Sequence, residues 1–263
     1  MELLYFGDGG IPLVAIHGLG SAKSAWYPMV QALPKNFRSI VFDLPGHGDS
    51  KELAQPEMTP EVLAEIIHAN LIANGLTKFH LIGNSLGGWI ALEMGAKFPE
   101  SVLSVTGVSP AGLWLTPRSY LSPALSTSRF MARIFYRYAN YLLKFKVLRF
   151  IGFGLVSPQW EKLSLETCVD AAVAMGTASG YLALWKGTNG NRFDKKISEN
   201  IPVSIIFGDS DNTLPAKDCQ EKSLVPKHSN WYVLNKSGHA PMWDKVEEVI
   251  KILNLTTGGD ERI

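Results

Sequence analysis

Short apolar runs alternate with amphipathic segments over most of the chain. Runs of strand length end at Ile16, Phe42, Ile82 and Val108, and segments with helical spacing separate them. The same alternation resumes at residue 201 and leads to a last amphipathic helix. Continuous apolar strands that alternate with helices are typical of a parallel sheet covered on both faces. The pattern therefore predicts an α/β fold with a mostly parallel central sheet and helices on both faces.

The alternation is interrupted once, between residues 111 and 200. No strand-like run in this stretch has a clear partner, and aromatic and basic side chains become frequent. We therefore expect residues 1–110 and 201–263 to form the α/β core. Residues 111–200 are expected to be a helical insertion at the carboxyl edge of the sheet, where open parallel sheets bind their ligands.

One strand-to-helix junction carries a candidate nucleophile, Ser85. The apolar run Phe79–Ile82 leads into Gly-Asn-Ser-Leu-Gly at residues 83–87, and a segment with helical spacing follows. A serine with glycines two residues before and two after is typical of a nucleophile elbow, a strained turn that exposes the hydroxyl above the sheet. The turn also places the serine at a helix N-terminus, where amide groups stabilise an anion.

A serine hydroxyl needs a positioned base, and a third group must orient that base. His239 is the best candidate for the base, because it lies in a loop between the last strand and the last helix. Asp209, Asp211 and Asp218 all follow the apolar run that resumes the alternation, and they compete for the third role. We favour Asp211, which lies far enough past the strand end to turn back toward the histidine. The loop after Val108 offers no carboxylate.

Five motifs occur along the chain, and their order matches that of one family. They are His-Gly-Leu-Gly at 17–20, Asp-Leu-Pro-Gly-His-Gly-Asp-Ser at 43–50, Gly-Asn-Ser-Leu-Gly-Gly at 83–88, Gly-Asp-Ser-Asp at 208–211 and Gly-His-Ala-Pro at 238–241. With these motifs the chain resembles the α/β-hydrolase superfamily, in particular its serine esterase-like members with a cap domain. The resemblance implies a helical cap, here residues 111–200, inserted after the sixth strand.

The resemblance also assigns roles to individual residues. It implies that Ser85 is the nucleophile, His239 the general base and acid, and Asp211 the orienting carboxylate. The backbone amides of Leu19 and Leu86 would form the oxyanion hole, and the side chains of these two leucines would line the substrate site. A serine at this position excludes the relatives that attack with an aspartate, such as the haloalkane dehalogenases.

Composition narrows the classes of partner. The formal net charge is +1, so we expect no nucleic-acid partner. No group of His, Cys, Asp or Glu has the spacing of metal ligands and no glycine-rich phosphate loop occurs, so we expect neither a metal nor a cofactor. The two cysteines are far apart and the N-terminal apolar run is too short for a signal peptide, so we expect a cytoplasmic protein. A monomer and a homodimer both fit the sequence.

The remaining histidines and acids of the motifs have structural interpretations. We expect His17 to hold the oxyanion loop by hydrogen bonding. Asp244 is expected to begin the last helix, where a carboxylate suits the helix dipole. Further polar side chains in the turn at residues 43–50 or on regular elements are expected to serve packing and turn formation: Asp43, His47, Asp49, His68 and His80.

The insertion contains a strongly basic segment with no acid between Glu100 and Glu161. Its cations are Arg118, Arg129, Arg133, Arg137, Lys144, Lys146 and Arg149. Three of the arginines repeat every four residues, so they share one helix face, and aromatic and aliphatic side chains fall on the other. We interpret this helix as a cap whose apolar face covers the active site and whose basic face contacts water. The alternatives are contact with an anionic membrane, which we favour less, and steering of an anionic substrate.

Aromatic residues of the insertion predict an apolar substrate pocket. They are Trp114, Phe130, Phe135, Tyr138, Phe153, Trp160, Tyr181 and Trp185. Of these we assign Trp114 to the substrate site. Such a lid favours acyl or aryl esters of modest size over peptides or sugars.

The sequence therefore predicts a serine hydrolase that cleaves carboxylic esters of small to medium apolar acyl or aryl substrates through an acyl-enzyme. One alternative is C–C bond cleavage, because residues 83–85 and 109–113 resemble those of the meta-cleavage product hydrolases. However, many of those enzymes carry a tryptophan where Ala240 follows the histidine here. Thioester hydrolysis, and the ester cleavage of the biotin-pathway carboxylesterases, also fit. From a different class, a ligand-binding receptor on a hydrolase fold is the remaining alternative.

Overall fold

The computed structural model describes residues 1–55, 57–117 and 123–258, with only the helical backbone of residues 123–125. Its strands are β1 (Leu4–Phe6), β2 (Ile11–Ile16), β3 (Phe37–Val41), β4 (Phe79–Asn84), β5 (Val102–Val108), β6 (Val203–Gly208) and β7 (Asn230–Leu234). They form one sheet in the spatial order β1-β3-β2-β4-β5-β6-β7. β1 is antiparallel to β3, and every other neighbouring pair is parallel. The predicted mostly parallel sheet is confirmed.

Helices connect the strands within the described residues. They are α1 (Tyr27–Ala32), α2 (Pro60–Ala73), α3 (Leu86–Lys97), α4 (Pro123–Phe135), α5 (Ala139–Leu142), α6 (Lys146–Phe153), α7 (Leu165–Thr177), α8 (Tyr181–Thr188), α9 (Ala216–Cys219), α10 (Pro241–Asp244) and α11 (Val246–Thr256). Helix α2 begins as its sequence indicates, because the Thr59 side chain accepts a hydrogen bond from the Val62 amide and Pro60 occupies the first turn.

The sheet has a hydrophobic core on each face, and strand β2 shows how the sequence builds both. Val14 and Ile16 pack in one core with residues of α2 and α3. Leu13 and Ala15 point to the other face and pack with residues of α1 and α11. Because side chains alternate across a strand, a continuous apolar run fills two cores at once.

Helices α4 to α8 lie between β5 and β6 in the chain. This helical segment follows the fifth strand, whereas the family resemblance led us to expect a position after the sixth. Among the described residues, five strands, β1 to β5, precede the segment. Arg118, one of the cations noted in the sequence, lies outside the described residues.

Helix α4 does not bury its apolar side as we expected, although Arg133 of its basic side is exposed. Ala132 and Tyr136 face α7, where a Cβ atom at Gly176 would lie 2.8 Å from the Ala132 carbonyl oxygen and 2.6 Å from Tyr136 Cβ. Arg129 also turns inward, with its guanidinium 5.0 Å from the centre of the Tyr181 ring. The prediction that the apolar side of this helix covers the active site is therefore wrong. The missing side chain of Gly176 permits this close approach of Ala132 and Tyr136, and Phe130 and Ile134 remain exposed.

The predicted aromatic lid is divided by this packing. Phe153 and Tyr181 are buried, whereas Phe130, Phe135 and Tyr138 are exposed. The exposed three do not form the roof of a pocket. Among the described residues, no single helix is long and apolar enough to cross a membrane, and α7 and α8 meet those criteria only as a pair bent by 80°.

Candidate active site

Ser85 lies in a strained turn between β4 and α3. Its φ is 55° and its ψ is −117°, a backbone conformation that L residues rarely adopt. A Cβ atom at Gly83 would lie 2.1 Å from the Gly87 carbonyl oxygen, and one at Gly87 would lie 2.1 Å from the Ile16 carbonyl oxygen. Only glycine fits at either position. The turn is held at its base by a 3.0 Å hydrogen bond from the Ser85 amide to the Val108 carbonyl.

His239 and Asp211 meet at the same edge of the sheet. His239 Nδ1 lies 2.9 Å from Asp211 Oδ2. The carboxylate is fully buried, and the imidazole is 11% exposed. The other carboxylate oxygen, Oδ1, accepts hydrogen bonds from the Thr213 amide at 2.9 Å and the Leu214 amide at 2.8 Å. This geometry fixes Nδ1 as the donor to the carboxylate and leaves Nε2 for another partner.

Asp211 remains charged in spite of its burial. Burial alone raises the pKa of this carboxyl group, but the charge of His239, their mutual hydrogen bond and the two backbone amides together hold the pKa below its ordinary value. An ionised carboxylate at this position stabilises a positive charge on the imidazole. The pair can therefore receive a proton at Nε2.

The other two candidates for the carboxylate that orients His239, Asp209 and Asp218, do not contact its ring. Asp209 is exposed, and its Oδ1 accepts hydrogen bonds from the Ser210 hydroxyl and the Ser237 amide. Asp218 is exposed on α9. Of the three, the carboxylate that contacts the histidine is Asp211. The chain turns after β6, with the Asp211 amide bonded to the Gly208 carbonyl, and this turn decides which aspartate points inward.

Asn84 connects the serine turn to the histidine loop. Its side-chain amide donates to the His239 carbonyl at 3.0 Å and to the Val108 carbonyl at 3.1 Å. The residue before the serine thus holds the backbone of the histidine. No hydrogen bond joins the Ser85 hydroxyl to the His239 ring, and such bonds often tighten only when a substrate is bound. Composition and spacing gave no signal for this role of Asn84.

Two backbone amides beside Ser85 are available to donate hydrogen bonds to a ligand. The loop after β2 approaches the serine so closely that a Cβ atom at Gly18 would lie 3.1 Å from Ser85 Cβ. The next residue of that loop is Leu19, and Leu86 follows the serine at the start of α3. Neither the Leu19 amide nor the Leu86 amide donates a hydrogen bond to another described residue. A developing oxyanion above Ser85 could use both.

Two buried histidines shape the loop that carries Leu19. His17 Nε2 accepts from the Leu44 amide at 3.0 Å, and His47 Nε2 accepts from the Gly20 amide at 3.0 Å. Burial and the nearby His47 lower the pKa of His17 to about 4, so its ring is neutral near pH 7. The expectation that His17 holds this loop by hydrogen bonding is confirmed.

The other structural assignments also agree with the contacts. The Asp43 carboxylate accepts from the backbone amides of Lys23 and Asp49 and forms an ion pair with the Lys23 ammonium, which also binds the Asp49 carboxylate. His68 stacks on Phe98, and His80 Nδ1 lies 2.8 Å from the Ser104 hydroxyl.

Asp244 has a role that helical periodicity did not predict. It ends α10 instead of beginning the last helix, and its carboxylate accepts from the Gly238 amide at 2.7 Å. The hydroxyls of Ser157 and Ser237 also donate to it. Asp244 therefore positions the loop that carries His239. The expectation that this carboxylate begins the last helix is wrong.

Trp114 lies in the hydrophobic core. Its indole is 4% exposed, meets Trp89 edge-on at 5.3 Å between ring centres and donates to the Asn191 carbonyl at 2.7 Å. These contacts satisfy the side chain without a substrate, and its contact with substrate stays a prediction. No group of three or more His, Cys, Asp or Glu side chains in the described part of the chain could hold a metal ion.

Comparison with known proteins identifies the family of the chain. The model of the alpha/beta hydrolase fold family matches residues 11–246. The chain belongs to this family. The match spans strands β2 to β7, the serine turn, the Asp211–His239 pair and the helical segment between β5 and β6.

Individual relatives are distant. The chain is 26% identical to the putative carbamate hydrolase RutD of Cronobacter sakazakii over 240 residues, which cover 88% of this chain and 85% of that protein. It is 24% identical to the monoacylglycerol lipase ABHD6 of Bos taurus over 261 residues, covering 92% and 73% of the two chains. The crystal structure of the enol-lactonase from Burkholderia xenovorans superposes with a TM-score of 0.74 at 19% identity, covering 97% of this chain and 96% of the other.

Proposed function

We propose that this protein is a serine hydrolase that cleaves carboxylic esters through an acyl-enzyme. The observation that carries the proposal is the Asp211–His239 pair, held by Asn84 beside the strained serine turn. A strained serine in a loop has no structural purpose that a glycine would not serve better. The similarity to proteins named as a carbamate hydrolase, a monoacylglycerol lipase and an enol-lactonase supports attack at an acyl carbon.

In the proposed reaction, Ser85 Oγ forms a bond to the acyl carbon while its proton moves to His239 Nε2. The carbonyl oxygen becomes an oxyanion that accepts from the amides of Leu19 and Leu86. The C–O bond to the alcohol then breaks, and His239 returns its proton to the departing oxygen. A water molecule attacks the acyl-serine by the same steps in reverse order and releases the acid. Loss of one such amide donor typically costs about 3–4 kcal/mol of transition-state stabilisation.

The helical segment is proposed to act as a cap that selects the substrate. It contacts the site on two sides within the described residues. The Val156 carbonyl accepts from the His239 amide at 2.8 Å. On the other side, Met175 and Tyr181 lie against Gly20, where a Cβ atom would be 2.6 Å from Met175 Sδ and 2.8 Å from Tyr181. The side chains at these contacts are mainly apolar, which favours apolar acyl or aryl groups of modest size.

A substrate panel tests the reaction class. Short and medium p-nitrophenyl esters, an acyl thioester and a ring-fission diketone would be compared by kcat/KM, with Ser85→Ala beside the wild type. We expect the esters to give the highest kcat/KM and Ser85→Ala to lose at least about 10⁴-fold in kcat. A diketone preferred tenfold over every ester would overturn the ester assignment. Absence of turnover with every compound would favour a binding protein.

A further inference from the structure

The outward side of the helical segment carries a concentrated group of exposed apolar side chains. On α4, Phe130 is 62% exposed and Ile134 is 49% exposed. We define the outer apolar face by the large apolar residues that the structure exposes from α4 to the turn that follows α6: Phe130, Met131, Ile134, Phe135, Tyr138, Tyr141, Phe145, Val147, Phe150, Ile151 and Leu155. Scattered exposed apolar residues are normal on a protein surface, but a group of this size marks an interaction site.

The packing of α4 fixes this exposure. Ala132 and Tyr136 contact Gly176 of α7, and Arg129 extends over Tyr181. Even a Cβ atom at Gly176 would lie only 2.8 Å from the Ala132 carbonyl oxygen, so α4 and α7 are in close contact on this side. The outer apolar face is therefore a consequence of close helix packing on its inner side. Nothing within the described residues covers it.

Cations flank the outer apolar face, and acids are absent from it. Arg133, Arg137, Lys144 and Lys146 are exposed, and none forms an ion pair with a carboxylate in the described part of the chain. Residues 126–160 contain six cations and no acid, and the four named above are exposed, although the net charge of the whole chain is only +1. The positive charge is thus concentrated on the surface that exposes apolar side chains.

We propose that the outer apolar face binds the surface of an anionic lipid bilayer. Apolar side chains on one side of a helix, with Lys and Arg at its flanks, insert into the boundary between headgroups and acyl chains while the cations contact anionic headgroups. A second copy of this chain would bring like charges together across the contact. A nucleic acid would match the charge of the cations, but it would not bury exposed apolar side chains such as Phe130 and Ile151.

The same segment contacts the candidate active site. Leu155 of the outer apolar face precedes Val156, whose carbonyl accepts from the His239 amide. Helix α7, on which α4 packs, places Met175 against Gly20 of the loop that carries Leu19. Binding by the outer apolar face therefore holds the site next to the bilayer. The proposal itself concerns binding and does not depend on the reaction.

Vesicle sedimentation tests the proposal with Ser85→Ala protein, which keeps the lipid from being consumed if the protein is a hydrolase. We expect the protein to sediment with vesicles of phosphatidylcholine that contain phosphatidylserine, and much less with phosphatidylcholine alone. Binding should weaken as salt rises from about 0.1 M to about 1 M, because the screening length falls from about 10 Å to about 3 Å. Ester hydrolysis by the wild type is measured separately, so either proposal can fail alone.

Paired variants locate the contact. Each cation near such a surface contributes about fivefold to binding, so Arg133→Gln/Lys144→Gln should bind about 25-fold more weakly. Phe130→Ser/Ile151→Ser should bind at least tenfold more weakly. The matched controls are Lys35→Gln/Lys227→Gln and Leu53→Ser, which change exposed residues outside the helical segment. They should bind as the parent does, and all variants should keep its unfolding temperature.

Three results would overturn the proposal. The first is no sedimentation with the anionic vesicles. The second is equal loss of binding in the control variants, which would show that the contact is not confined to the outer apolar face. The third is a dimer in solution that Phe130→Ser/Ile151→Ser converts to a monomer, together with no vesicle binding. That result would assign the face to contact between copies.

Discussion

The edge of the sheet around Ser85 and the outer side of the helical segment use side chains in opposite ways. At the edge, buried polar groups such as Asp211, His17 and Asn84 each have defined hydrogen-bond partners. On the helical segment, large apolar side chains such as Phe130 remain in contact with solvent. Burying a polar group without a partner is energetically costly, so a buried polar group is explained by its hydrogen bonds within the protein. An exposed apolar group is explained by what lies outside it.

The largest expected effect on kcat distinguishes two aspartates at the edge of the sheet, Asp211 and Asp209. Asp211→Asn removes the carboxylate that orients His239 and should lower kcat by about 10⁴-fold, because the ring loses its preferred tautomer and its charge partner. Asp209→Asn changes an exposed residue two positions earlier and should alter kcat about twofold at most. Steady-state kinetics with one p-nitrophenyl ester measures both. Equal losses in the two variants would contradict the assignment of Asp211.

The strained serine turn gives the next effect, on stability. A Cβ atom at Gly83 would lie 2.1 Å from a backbone oxygen, whereas one at Gly10 would have no atom within 4 Å. Gly83→Ala should therefore lower the free energy of unfolding by about 3 kcal/mol or more. The control Gly10→Ala should change it by about 0.5 kcal/mol or less. Urea unfolding measures both, and a tolerated alanine at position 83 would mean that the turn is looser than described.

Buried histidines make the core sensitive to acid. Burial lowers the pKa of His17 and of His80 to about 4, from an ordinary value of 6.5. Between these values the unfolded chain binds more protons than the folded one, so stability falls as the pH is lowered from about 6.5 to about 4. From pH 7 to pH 5 we expect a loss on the order of 1–2 kcal/mol for each histidine. Urea unfolding of His80→Gln at both pH values should show a smaller loss than the wild type; an unchanged loss would contradict the contribution of His80.

The smallest effect belongs to the outer apolar face. Phe130→Ser should change the free energy of unfolding by about 0.5 kcal/mol or less, since the ring is 62% exposed. Leu184→Ala on α8 removes a fully buried side chain of the same segment and should cost about 2–5 kcal/mol. If the two substitutions cost the same in urea unfolding, α4 does not face outward and the contrast between the two regions fails.

Sequence reasoning succeeded where the backbone restricts the residue type. The serine turn requires glycine at positions 83 and 87, and a parallel sheet covered on both faces requires strands that are apolar throughout. Such requirements can be read from single positions. The runs ending at Ile16 and Val108 therefore predicted strands that the structure contains.

Sequence reasoning failed where two arrangements satisfy the same pattern. The periodicity of α4 separates an apolar side from a basic side, but it does not say which side contacts the protein. The side of α4 that packs on the protein is set by the close contact between Ala132 and Gly176, which lie 44 positions apart in the chain. Asp244 is similar, because helical periodicity cannot show that a carboxylate reaches back to the Gly238 amide.

Covalent labelling tests the central claim most directly. The wild type and Ser85→Ala would be incubated with a fluorophosphonate, which reacts with serines activated by a neighbouring base, and the modified peptide would be identified by mass spectrometry. We expect one phosphonyl group on Ser85 in the wild type and none in Ser85→Ala. Labelling should be strongly slowed in Asp211→Asn and unchanged in Asp209→Asn. An unlabelled Ser85 in the folded wild type, or equal labelling of Asp211→Asn, would contradict the claim that His239 and Asp211 activate this serine.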